Sequence, residues 1–143
     1  MSVDDLFSGG EPAVDPATIV KPLLRWSLAA ALLNYTGFLG GLGLLFFRDV
    51  APMLPDPLGT YLSATVVMVS LLAVPGAFVS VWAWVRADET LRKARTGALP
   101  ETVGPPAYAA RQRAFVTLMV AGLCLGLQIW ALSSLLQGPA DGG

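Results

Sequence analysis

The sequence predicts an all-α integral membrane protein built as a bundle of three spanning helices. Three observations carry that reading. Only 13% of the 143 residues are charged while 55% are hydrophobic, against about 25% and 45–50% in soluble domains. Three long apolar runs lie near residues 23–47, 61–85 and 114–136. Lys and Arg crowd one set of flanks, eight residues to one. A soluble domain of this length lacks the charge to cover its surface.

Residues 1–22 form a polar, acidic segment with Asp4, Asp5, Glu11 and Asp15 against a single Lys21. It lacks the basic start and apolar stretch of a secretory leader, so none is expected. Asp15-Pro16 is an N-cap followed by proline at the first helical position, which predicts a helix start. Pro22 is then expected to end or bend that helix. The first span follows, and from Trp26 to Phe47 it contains no charge. At 1.5 Å per residue that stretch reaches roughly 33 Å, enough for a hydrocarbon core of ~30 Å.

Arg48-Asp49 stops the run, and Pro52, Pro55 and Pro57 predict a stiff non-helical connection to Thr60. The second span, Tyr61 to Val85, is also uncharged and contains Pro75-Gly76. Pro75 has no N–H for the Leu71 carbonyl, so a kink is expected there. Beyond Val85 the helix should continue into water, supported by Asp88/Arg92 and Glu89/Lys93 at i,i+4. Gly97 is the natural stop, and Pro100, Pro105 and Pro106 mark a linker within the loop 86–113. A new helix near Pro106 leads into the third span, Ala114 to Leu136, ended by Gln137-Gly138-Pro139 and a short tail over 137–143. Alternating hydrophobicity, the mark of barrel strands, is absent from all three runs.

Orientation follows the basic residues. Lys21, Arg25, Arg86, Arg92, Lys93, Arg95, Arg111 and Arg113 flank one side, and Arg48 alone the other. The N-terminus and second loop are therefore expected in the cytoplasm and the C-terminus outside. Trp26, Trp82 and Trp84 would form the cytoplasmic aromatic belt, with Phe46, Phe47, Tyr61 and Trp130 toward the outer face. The excess of Arg over Lys, with much Ala, Gly, Leu and Pro, is the bias of a GC-rich genome and points to a bacterial inner membrane.

Candidate sites lie on helix faces. Ser27, Ala30, Asn34, Gly37 and Gly41 share one face of the first span, and Gly37/Gly41 form a GxxxG that admits close helix approach. Ser70, Ala73, Ala77 and Ser80 share a face of the second span, and Gly122/Gly126 form a GxxxG in the third. These small faces are expected to be the packing surfaces. Thr117, Ala121, Cys124, Gln128 and Ala131 make a second, more polar face on the third span, a possible partner face. Asn34 and Gln128 are the strongest polar groups at membrane depth; interhelical hydrogen bonding is the structural reading, a ligand or ion pathway the functional one. Arg86, Arg92, Lys93 and Arg95 are possible contacts for anionic lipid or a partner.

All ten acidic residues lie outside the spans and there is no His. No cofactor, metal site, catalytic group or nucleic-acid partner is expected, and a buried-carboxylate transporter is disfavoured. The combination of close-packing faces without chemistry predicts a non-catalytic accessory or scaffolding subunit of a larger membrane assembly, its partners being lipids and other subunits or further copies of itself. The alternative is a homo-oligomeric channel or carrier with Asn34 or Gln128 lining the path. Reporter fusions test the topology: those after Pro55 and Gly143 should read non-cytoplasmic, and one at Thr102 cytoplasmic. A cytoplasmic signal at Gly143 would exclude three spans.

Overall fold

The computed structural model describes residues 14–136, all of them in helices and short connections. The acidic residues Asp4, Asp5 and Glu11, the stop at Gln137–Pro139 and the tail lie outside the described residues. Helix α1 is Pro16–Val50, α2 is Leu58–Ser70, α3 is Ala73–Arg95 and α4 is Gly104–Leu136. Single 3-10 turns at Ala51–Met53 and Glu101–Val103 join them. Three helices, counting α2 and α3 as one broken rod, are long and apolar enough to cross a membrane.

Asp15 starts α1 as a cap. The Ala17 amide donates to its carboxylate at 3.0 Å, and the Thr18 amide and hydroxyl donate to its carbonyl at 2.9 and 2.7 Å. These bonds occupy donors that a helix N-terminus leaves unpaired. Of the two expected effects of Pro22, an end or a bend, the end does not occur: the residue lies inside α1. Its ring sits on the exposed side of the second turn, and only the Thr18 carbonyl loses its α-helical donor there. The Pro-rich connection is also shorter than expected, because α1 continues to Val50 and α2 begins at Leu58.

The second rod breaks at Leu71–Leu72, one turn before Pro75. Pro75 cannot donate to Leu71, and the Val74 amide bonds the Leu71 carbonyl instead, at 3.1 Å. That exchange takes Val74 away from Ser70, its regular α-helical acceptor. Farther on, α3 runs through the expected ion pairs to Arg95. Gly97, at φ 77°, closes it as a Schellman motif: Gly97 donates to Ala94 and Ala98 to Lys93, at 3.3 and 2.9 Å. Helix α4 starts at Gly104, so Pro105 and Pro106 fall in its first turn, where no amide is needed.

Packing runs opposite to that of a soluble protein. The buried positions are small: Ser27, Ala30, Asn34 and Gly37 on α1; Ala73, Gly76, Ser80, Ala83 and Ala87 on α3; Ala110, Ala114, Thr117, Ala121 and Cys124 on α4. The large side chains, such as Leu32, Leu39, Phe78 and Leu123, point outward and are more than half exposed. Small inner faces let the backbones approach, and bulky outer ones suit hydrocarbon. A cluster of Leu23, Ala87, Leu91, Ala107 and Ala110, backed by Ile19 and Leu24, carries the bundle past the span ends.

Closest approach occurs where α1 meets the break. A Cβ on Gly37 would lie 2.6 Å from the Ala73 amide nitrogen, and one on Gly40 2.6 Å from that of Ser70. Backbone cannot yield as a side-chain tip can. Gly40→Leu should therefore destabilise the bundle by about 1–3 kcal/mol or more, read as a lower melting temperature in detergent. An unchanged melting temperature would contradict this packing.

Candidate functional site

A polar ladder runs through the centre of the bundle. At its middle, Asn34 on α1 is fully buried and its Nδ2 donates to Ser80 Oγ at 2.7 Å and to the Gly76 carbonyl at 3.3 Å. Ser80 Oγ lies 3.2 Å from Thr117 Oγ1 on α4. The Thr117 proton goes to its own helix, at 3.0 Å from the Arg113 and Ala114 carbonyls, so Ser80 is the donor across the interface. One chain of hydrogen bonds thus links three helices at a single level. Asn34 Oδ1 has no hydrogen-bond partner among the described residues and rests against Gly76, where any Cβ would collide with it. Only a glycine leaves room for that amide.

A second rung lies toward the C-terminal end of α4. Cys124 Sγ donates to the Gly37 carbonyl at 3.3 Å, and Gln128 Nε2 donates to the Ser70 carbonyl at 2.8 Å. Ser70 is the residue whose usual donor, Val74, has moved to Leu71. Gln128 supplies the replacement from another helix, which is how broken helices are kept satisfied in apolar surroundings. Gly41, the second glycine of the α1 GxxxG, faces Cys124, with its notional Cβ 3.2 Å from the sulfur. The pair therefore serves two neighbours: Gly37 the break at Ala73, and Gly41 the helix α4. At the opposite end, Arg113 Nη1 reaches Ser27 Oγ at 3.5 Å.

Two of the sequence-derived faces have different places from those expected. On α3, Ala77 is half-buried and Gly76 occupies the inward position between Ala73 and Ser80. Both residues satisfy a 3–4 spacing, so periodicity does not choose between them. On α4, Thr117 and Cys124 are buried and Gln128 partly so, all directed at the rest of the chain. Gly122 and Gly126 are both exposed, and a Cβ on either meets nothing within 4 Å. Burying the Thr117–Cys124–Gln128 face satisfies side-chain donors and a freed carbonyl, whereas burying the glycine face satisfies none. Gly40, which approaches Ser70, is a packing residue that the i,i+4 glycine pattern overlooks.

The charged collar is largely paired. Arg92 binds Asp88 at 2.7 Å, Lys93 binds Glu89 at 2.8 Å, and Arg111 on α4 reaches Asp88 at 3.2 Å. The Arg92 hydrogen bond, with the charges of Arg92, Arg111 and Arg95, holds the Asp88 carboxyl below the usual range against some desolvation. Lys93 does the same for Glu89. The i,i+4 pairs are legible in sequence; the Asp88–Arg111 link between helices is not. Arg95 is exposed with no ion pair among the described residues. No three His, Cys, Asp or Glu side chains converge as metal ligands among the described residues.

No family model, curated protein or solved structure matches this chain.

Asn34→Leu is expected to be mild. Leucine is close in shape, it removes the unpartnered oxygen, and Ser80 keeps Thr117 as a partner. The loss of its hydrogen bonds should cost about 0.6–2 kcal/mol, measured by thermal or denaturant unfolding in detergent. A larger loss would mean the ladder acts cooperatively.

Proposed function

We propose that this chain is a non-catalytic accessory or scaffolding subunit that docks against another membrane protein through the outer face of α4. The observation that carries this reading is the open surface over Gly122 and Gly126, where an added Cβ would meet nothing within 4 Å. It lies between the exposed side chains of Phe115 and Met119 at one end and Ile129 and Trp130 at the other. Glycines spaced by four residues on an open apolar face admit a further helix at close range. Asn34 and Gln128 are engaged with Ser80, Gly76 and Ser70, which favours this reading over a homo-oligomeric channel or carrier lined by them.

The orientation we propose follows the eight-to-one distribution of Lys and Arg: N-terminus and α3–α4 connection in the cytoplasm, C-terminus outside, in a bacterial inner membrane. We also read the break before Pro75 as a bend in the second span, whose wedge receives Gly37 and Gly40.

The experiment compares two kinds of glycine variant in the full chain, purified in mild detergent. Gly122→Leu and Gly126→Leu should leave unfolding within about 0.5 kcal/mol of the parent while releasing a co-purifying membrane chain. That released chain, identified by mass spectrometry, is expected to differ from this one; a second copy would make the assembly a homo-oligomer. Flux through liposomes holding this chain alone, abolished by Asn34→Leu or Gln128→Leu, would overturn the accessory reading.

A further inference from the structure

We infer that the cleft between α1 and α3 at the basic end of the bundle is a binding site for the headgroup of an anionic phospholipid. The cleft, of about 390 Å³, has Leu23, Trp26 and Trp82 on its walls and Arg86 and Lys93 on α3. It adjoins a second hollow that shares Pro22 and Trp26 and adds Lys21, Arg25 and Ala29. Cations from segments about sixty residues apart in sequence thus line two adjoining hollows that share Trp26. The two rings meet edge to face with centroids 5.0 Å apart, and the Arg86 guanidinium lies 5.6 Å from the Trp82 ring centre.

Positive-inside topology requires basic residues at this end but not their convergence, so the pairing of each charge decides the matter. The one acid in the cleft, Glu89, binds Lys93 at 2.8 Å and also pairs with Arg86 at 3.7 Å, so one carboxylate is shared by two cations. Arg92 and Arg111 are held by Asp88 on other sides of the collar. Lys21 and Arg25 have no ion pair among the described residues. Lys21 and Arg25 in one hollow, with Arg86 and Lys93 in the other, thus outnumber the single carboxylate of Glu89, a net positive charge that complements a phosphodiester. The rings sit where the uncharged part of the first span begins, which is the depth of glycerol and phosphate groups. Ala29 and the outer face of α1 lead from there into hydrocarbon and offer a track for an acyl chain. Arg is well suited to the phosphate, since its planar fork donates in pairs.

The inference rests on the membrane reading above but not on the accessory role, because the readout below is lipid binding alone. The full chain in detergent is melted with phosphatidylglycerol or phosphatidylcholine at equal mole fraction, and phosphatidylglycerol affinity is measured by titration. Phosphatidylglycerol should raise the melting temperature and phosphatidylcholine should not. Combined Lys21→Gln, Arg25→Gln and Arg86→Gln should abolish the shift, with about fivefold affinity lost per cation removed. Arg25→Gln alone, at an exposed position, keeps the test valid if the triple variant folds poorly, and should show the single fivefold step. Arg92→Gln with Arg95→Gln removes two charges from the collar but none from the cleft, and should retain the shift. The inference is overturned if the cleft variants bind like the parent, if the control pair loses as much, or if phosphatidylcholine or inorganic phosphate stabilises equally.

Discussion

The fold depends on one close approach, where the backbone of α1 at Gly37 and Gly40 meets the broken turn between α2 and α3. Nothing larger than hydrogen fits between Gly37 and Ala73 or between Gly40 and Ser70. With the backbones this near, the second rod is pinned to the first at its point of interruption. Pro75 withholds a donor from Leu71, Val74 takes that acceptor, and the Ser70 carbonyl is left to Gln128 of α4. A local backbone defect thereby becomes a tertiary contact. In apolar surroundings an unpaired carbonyl costs several kcal/mol, so the break and the glutamine form one device.

The remainder of the bundle follows the same economy of size. Alanine, serine and glycine occupy the inner faces at spacings of three and four, and the bulky residues turn outward. Such faces offer little apolar side chain to bury. Cohesion must come from dispersion between close backbones and from the ladder Asn34–Ser80–Thr117, with Cys124 and Gln128 beyond it. Past the span ends the logic changes. There Leu23 and Leu91 provide larger buried side chains, and Asp88 joins α3 to Arg111 of α4. This half-buried pair ties together two helices that are joined by the connection through Glu101–Val103.

Two surfaces are left open by this arrangement. One is the exposed glycine face of α4, the basis of the proposed docking of a partner helix. The other is the tryptophan-lined cationic cleft between α1 and α3. They are chemically different, one wholly apolar and close-packing, the other charged and interfacial. The two proposed roles, docking of a partner helix on one face and binding of anionic lipid on another, each rest on one of these surfaces.

Sequence alone determined the number of apolar rods, the helix start at Asp15, the stop at Gly97, the ion pairs at i,i+4 and the small-residue face of α1. Each is a short-range property: a run length, a cap, or a periodicity that any single helix displays. Tertiary structure decided what those properties left degenerate. Helix α4 carries two faces of small residues, and only the positions of the Ser70 and Gly37 carbonyls select Thr117, Cys124 and Gln128 for the inside and Gly122 and Gly126 for the outside. Gly76 replaces Ala77 at the inner position because Asn34 of another helix fills the space a Cβ would need. Pro22, equivalent to Pro75 on sequence grounds, leaves its helix unbroken near an exposed end. Local rules name the groups that need partners, and only the packed bundle supplies the partners.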